Sequence, residues 1–144
     1  MNNLPEKMSP VDEPTELLSR PTEALVEMML QIDGDFMFLG VGGKMGPTMA
    51  LMALRATRKA GVTRKIIGVS RFSNWEERTF LEKSGIETIR GGLLNKDFSE
   101  SLPQAKNIVF LAGMKFGTED NLSLIWAMNT YLPDPIPLNL NLKL

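Results

Sequence analysis

Apolar positions along the chain change their period in a regular way. In "RPTEALVEMMLQIDG", Leu25, Met28, Met29 and Ile32 recur at helical spacing, Pro21 suits a first turn and Gly34 a stop, so a short helix is predicted there. "DFMFL" follows as a run too uniformly apolar to have one wet face, which suits a strand buried in a parallel sheet. The helical period returns from about Lys44 to Ala60 and stops at Gly61. "KIIGVS" then predicts a second strand, "NWEERTFLEKS" a helix ended by Gly85, and "IETIRG" a short third strand. "NIVFLAG" predicts a fourth strand, and "EDNLSLIWAMNTYL" a helix before Pro133.

This alternation predicts an α/β fold: a Rossmann-type parallel sheet in order 3-2-1-4 with flanking helices. Residues 1–33 are expected to form an N-terminal arm and the short helix. Within them residues 1–20 should carry little regular structure, because Pro5, Pro10 and Pro14 interrupt them. Residues 34–132 would be the sheet domain. Residues 133–144, "PDPIPLNLNLKL", break the rhythm and read as an irregular tail or an edge strand. No repeat or low-complexity tract interrupts the chain.

Composition narrows the chemistry. At 144 residues and 43% hydrophobic, the chain can fill one sizeable core. A net charge of −1 from mixed signs argues against a nucleic-acid or acidic-membrane partner held by bulk charge. With no cysteine and no histidine, disulfides, thiol nucleophiles and Ser-His-Asp catalysis are excluded. Carboxylates, Lys, Tyr, Ser, Thr or a bound cofactor remain. The polar, proline-broken N-terminus does not read as a signal peptide, and no run reaches the roughly 18–20 apolar residues of a membrane span. A cytoplasmic protein is the expectation.

The candidate chemistry lies in "DFMFLGVGGKMGPTMALMALRA", where strand, tight turn and helix meet. The spacing G-x-G-x-x-G fails at Met45, and the Walker-type frame fails because Lys44 does not follow its last glycine. G-x-x-G-x-x-G fits, with Gly40, Gly43 and Gly46, and Gly42 in reserve. Such glycines turn the chain off the strand, admit a pyrophosphate to the helix N-terminus and pack the helix on the sheet. The alternative is a turn whose glycines serve tightness alone. Met45, Met49 and Met52, with Leu51 and Leu54, read as core packing, and Lys44 as a loop charge within reach of a phosphate.

Four segments in order, "GVGGKMG", "IIGVSR", "GGLLNKD" and "IVFLAG", resemble the extended short-chain dehydrogenase/reductase family, which includes NAD-dependent epimerases and dehydratases. The resemblance spans about residues 35–131. It implies a dinucleotide site in which Gly40, Gly42, Gly43, Lys44, Met45 and Gly46 form the pyrophosphate loop. The acid that NAD-preferring members carry at the second strand end falls at Ser70, beside Arg71. Ser plus Arg would accept a 2′-phosphate, so the resemblance leans toward NADP over NAD; Arg71 as a plain solvated charge is the alternative. Gly92 stands where related sequences have an Asp for the adenine amine, leaving Leu93 for apolar contact. Leu111, Ala112 and Gly113 would line the cofactor past the fourth strand. Asn129 matches an Asn of the following helix, or is an ordinary polar residue there.

The family's chemistry needs Tyr-x-x-x-Lys on a helix, with Tyr as acid/base and Lys lowering its pKa. The single tyrosine is Tyr131, and position 135 is proline. No catalytic residue is therefore assigned. Family members run to about twice this length, so a truncated product is expected, with a stand-alone module or a second completing chain as alternatives. A half-length sheet would also invite a homodimer. Glu76, Glu77 and Glu82 with Arg78 and Lys83 read as a solvated helix face, Asp33 and Asp35 as capping or solvated groups, and Trp75 and Trp126 as packing residues.

Overall fold

The computed structural model describes residues 12–113 and 122–132. Among these residues four strands, β1 (Phe36–Leu39), β2 (Ile66–Ser70), β3 (Glu87–Arg90) and β4 (Asn107–Phe110), form one sheet in order β3-β2-β1-β4. Every pairing is parallel: Phe36 aligns with Ile66 and Asn107, and Ile67 with Glu87. The fold is therefore an open parallel α/β sheet of Rossmann-like topology, as the alternation predicts.

Among the described residues six helices flank the strands: α1 (Asp12–Leu18), α2 (Glu23–Gln31), α3 (Gly46–Lys59), α4 (Trp75–Ser84), α5 (Lys96–Glu100) and α6 (Leu122–Trp126). A π-type turn, Ala127–Tyr131, continues α6.

The period of two in the strands sorts the core onto the two sheet faces. Phe36, Phe38 and Ile66 join a cluster with Met29 of α2, Ala50, Leu51 and Leu54 of α3, and Leu81 of α4. Met37, Leu39, Ile67 and Val69 point the other way, toward Leu93, Leu102, Ala105 and Leu132. All four residues of β1 are buried, as a central strand covered on both faces must be. Leu51 and Leu54 take the core places expected of them, but Met45 is 65% exposed at the N-cap of α3.

Two helices depart from expectation. α1 forms although the segment was expected to be irregular: Pro14 is the third residue of the helix, where its missing N–H has no intrahelical acceptor to lose. Arg55 of α3 then ties α1 down, donating to the buried Ser19 hydroxyl at 2.6 Å and to the Glu16 carboxylate at 2.5 Å. α5 interrupts what reads as strand following strand; its N-cap is Asn95, whose side chain accepts from the Phe98 N–H. The tail, residues 133–144, and residues 1–11 lie outside the described residues.

Candidate functional site

The carboxyl ends of β1, β2 and β4 open on a cleft of about 360 Å³, a size within the range of small-molecule sites. Gly40, Gly42 and Gly43 line it from the turn after β1, Ser70 and Arg71 from the end of β2. Gly92 and Leu93 contribute from the loop after β3, and Leu111, Ala112 and Gly113 from the end of β4. Ten of the residues singled out in sequence thus meet at one place. It is the crevice where sheet order reverses, between β1 and β4, which is the general ligand position in open α/β sheets.

The glycines of the turn have distinct reasons. Gly40 has φ +87°, and a Cβ there would fall 2.5 Å from the Ala112 nitrogen. Its own N–H donates to Val69 O at 2.8 Å, so the turn is pinned to β2. Gly46 does not line the cleft; a Cβ on it would enter the Val41 carbonyl, which makes it the contact between helix and turn. Gly43 differs. A Cβ there would meet only Gly40 O, at an ordinary 3.5 Å, and its φ is not positive. Among the described residues nothing requires a glycine at 43, and Gly43 lines the cleft.

The same turn presents donors. The N–H groups of Gly42, Lys44 and Met45 find no acceptor among the described residues, and Met45 caps α3 without a side-chain hydrogen bond. Together with the positive end of the α3 dipole they favour an anion. The Lys44 and Met45 side chains are exposed and do not line the cleft.

Next to the cleft-lining Ser70 and Gly42, though not itself part of the lining, stands a carboxylate that the sequence reads as solvated. Glu77 is half-buried rather than fully solvated; its Oε2 lies 3.2 Å from where a Gly42 Cβ would sit, and Ser70 Oγ lies 2.5 Å from the same point. Burial raises the Glu77 carboxyl above its ordinary value. Arg71 is exposed, and its carbonyl accepts from Arg90 Nε at 3.1 Å. Immediately after it, Phe72 holds φ +47°, an uncommon conformation for a bulky residue.

At the opposite wall, Leu124 and Met128 line the cleft from α6 and the π-type turn, and Leu94 and Gly91 from the β3 side. Sequence reasoning did not single these out. Helical spacing could have offered Leu124 and Met128, four residues apart, as one face. Asn129 approaches the cleft at β4: its Oδ1 lies 3.1 Å from where a Gly113 Cβ would be. Gly92 has open space, among the described residues, where a side chain would point.

Trp75 and Trp126 are about 60% exposed, not packed inside, because each lies on the outer part of a helix end. Arg78 covers the Trp75 ring at 4.9 Å from its centroid. Among the described residues no group of three or more carboxylates could hold a metal ion, and no helix is long and apolar enough to cross a membrane. No protein-family model and no curated protein matches the chain.

Proposed function

We propose that the cleft binds a nicotinamide dinucleotide, NADP or NAD, with its pyrophosphate on the turn from Gly40 to Gly46. The observation that carries this reading is Gly43: a glycine in the cleft wall, beside N–H groups unpaired among the described residues, whose packing leaves room there for a Cβ. The apolar wall of Leu93, Leu111, Leu124 and Met128 suits the ring systems at the ends of such a molecule. By its resemblance to epimerases and dehydratases, the chain supplies the binding part of a cytoplasmic oxidoreductase, and the cofactor would supply hydride transfer. Tyr131 has no lysine four residues on, so the acid–base step is assigned to no residue of this chain.

That missing pair favours a second reading, a nucleotide-sensing module that acts through a protein partner or a second copy. The exposed Leu122 and Trp126 on α6 would serve such an association.

Calorimetric titration of the folded chain with NADPH and NADH tests the first reading. Saturable binding that disappears in Gly43→Val, with the variant still folded by circular dichroism, supports it. Absence of binding to either dinucleotide refutes it. Dimerisation on cofactor addition without turnover would select the sensing module.

A further inference from the structure

Ser70 ends β2 with a hydroxyl that accepts weakly from the Phe72 N–H at 3.5 Å and has its own proton to give. Glu77 is the third residue of α4, a position whose carboxylate ordinarily turns back to the N-cap backbone. Here Asn74 caps the helix with its own side chain, accepting from the Glu76 N–H at 3.0 Å, and Glu77 reaches instead toward Gly42. Its carboxylate has no hydrogen bond or ion pair with any described residue. Burial without a partner leaves it short of donors, in keeping with its raised pKa. Only a glycine at 42 lets these two side chains approach the turn so closely, since a Cβ would collide with Ser70 Oγ.

A hydroxyl and a carboxylate converging on one point beside a phosphate-binding turn match a ribose diol, which donates two hydrogen bonds. They do not match a phosphate, which donates none at neutral pH and carries like charge. We propose that Glu77, together with Ser70, selects a dinucleotide whose adenosine ribose bears a free 2′-hydroxyl, NAD, against one bearing a 2′-phosphate, NADP. The inference rests on the dinucleotide reading above and runs against the lean toward NADP that Ser70 and Arg71 suggest in the sequence.

The competing cation is Arg71, exposed beside Ser70. An exposed pair contributes no more than about fivefold in affinity, because solvent screens it and the long side chain must be ordered. Hydrogen bonds to a half-buried charged group contribute roughly tenfold or more. Arg78, on the first turns of α4, is engaged: it ion-pairs with Glu82 at 2.9 Å, donates to Thr88 and covers the Trp75 ring. The carboxylate therefore outweighs Arg71 at this end of the cleft.

The experiment compares dissociation constants of NADH and NADPH for the whole chain and for Glu77→Gln, with thermal unfolding to verify that the variant folds. The wild-type chain should bind NADH about tenfold or more tightly than NADPH. In the variant NADH should weaken and NADPH tighten, bringing the two within about threefold. A wild-type preference for NADPH, or a ratio unchanged in Glu77→Gln, overturns the role of Glu77 while leaving the dinucleotide reading intact. Binding of neither defeats both.

Discussion

Gly46, the first residue of α3, lies against the backbone of Val41 so closely that a single added Cβ would occupy the Val41 carbonyl. Neither partner is a flexible side chain, so the helix or the turn must move to admit a methyl. Gly43, three residues earlier, has room for one. The two glycines of one motif thus do different work, one in folding and one at the cleft.

Alanine at each position separates these roles. Gly46→Ala should lower stability by about 2–3 kcal/mol through overpacking, read as a shift of the urea midpoint at unchanged slope. Gly43→Ala should leave stability within about 0.5 kcal/mol and weaken dinucleotide binding by roughly tenfold or more. Equal destabilisation by both would show that the turn tolerates no side chain anywhere, and a glycine at 43 would then no longer point to a ligand.

Arg64 performs the closing of α2. Its Nη2 donates to Met29 O at 2.7 Å and to Ile32 O at 2.9 Å, satisfying carbonyls that a helix C-terminus leaves unpaired. The guanidinium lies 5.7 Å from the Phe36 ring centroid, and its Nε is buried without a partner. Lysine offers neither the forked donor nor the planar contact. Arg64→Lys should cost about 1–2 kcal/mol, and Arg64→Ala somewhat more, in equilibrium denaturation. If Arg64→Lys matched the wild-type chain, a point charge alone would suffice and the forked contact would be incidental.

The sheet was legible because its signals are local. "FMFL" and "IIGV" are continuous apolar runs, and the glycines after β1 announce both the turn and the start of α3. The cleft followed from topology, since strand ends in a parallel sheet all face one way. What escaped depends on docking or on very short elements. Pro14 read as a breaker because its place in a helix depends on where that helix starts. α5 spans only five residues, too few for a period to show. Glu77 read as solvated because a helical pattern does not reveal that the first turn of α4 abuts Gly42. Met45 and Trp75 read as core from hydrophobicity alone, yet each sits at a helix N-terminus that faces outward.

α1 depends on a polar clasp more than on buried apolar area. Arg55 bridges to Glu16 through both its backbone carbonyl, at 3.2 Å, and its carboxylate, and to Ser19, whose hydroxyl also donates to Thr15 O at 2.6 Å. Arg55→Ala removes these three bonds from α3 at once. Amide exchange in residues 12–19 should accelerate by about tenfold or more, while protection in β1 and β2 changes little. Uniform acceleration across the sheet would mean that α1 is integral to the core rather than clasped onto it.

The two displaced carboxylates of α4 should respond to pH in opposite directions. The Glu82 carboxyl is held below its ordinary value of 4.5, first by the hydrogen bond from Thr88 and also by Arg78. Its stabilising contribution is present above pH 4.5 and is lost as pH falls through the depressed folded-state value. Glu77 is raised by burial, so the unfolded chain releases that proton first. Stability therefore falls as pH rises from 4.5 through the raised folded-state value, and stays lower above it. Urea midpoints measured from acid to neutral pH on Glu77→Gln and Glu82→Gln separate the two. Glu77→Gln should gain on the wild-type chain as pH rises, and Glu82→Gln should lose. Both effects are modest, because each group remains partly open to solvent. A bound dinucleotide offers a further check: hydroxyls that donate to Glu77 favour its ionised form, so saturating NADH should shrink the advantage of Glu77→Gln at neutral pH. An advantage unchanged by NADH would place the ligand's hydroxyls away from this carboxylate.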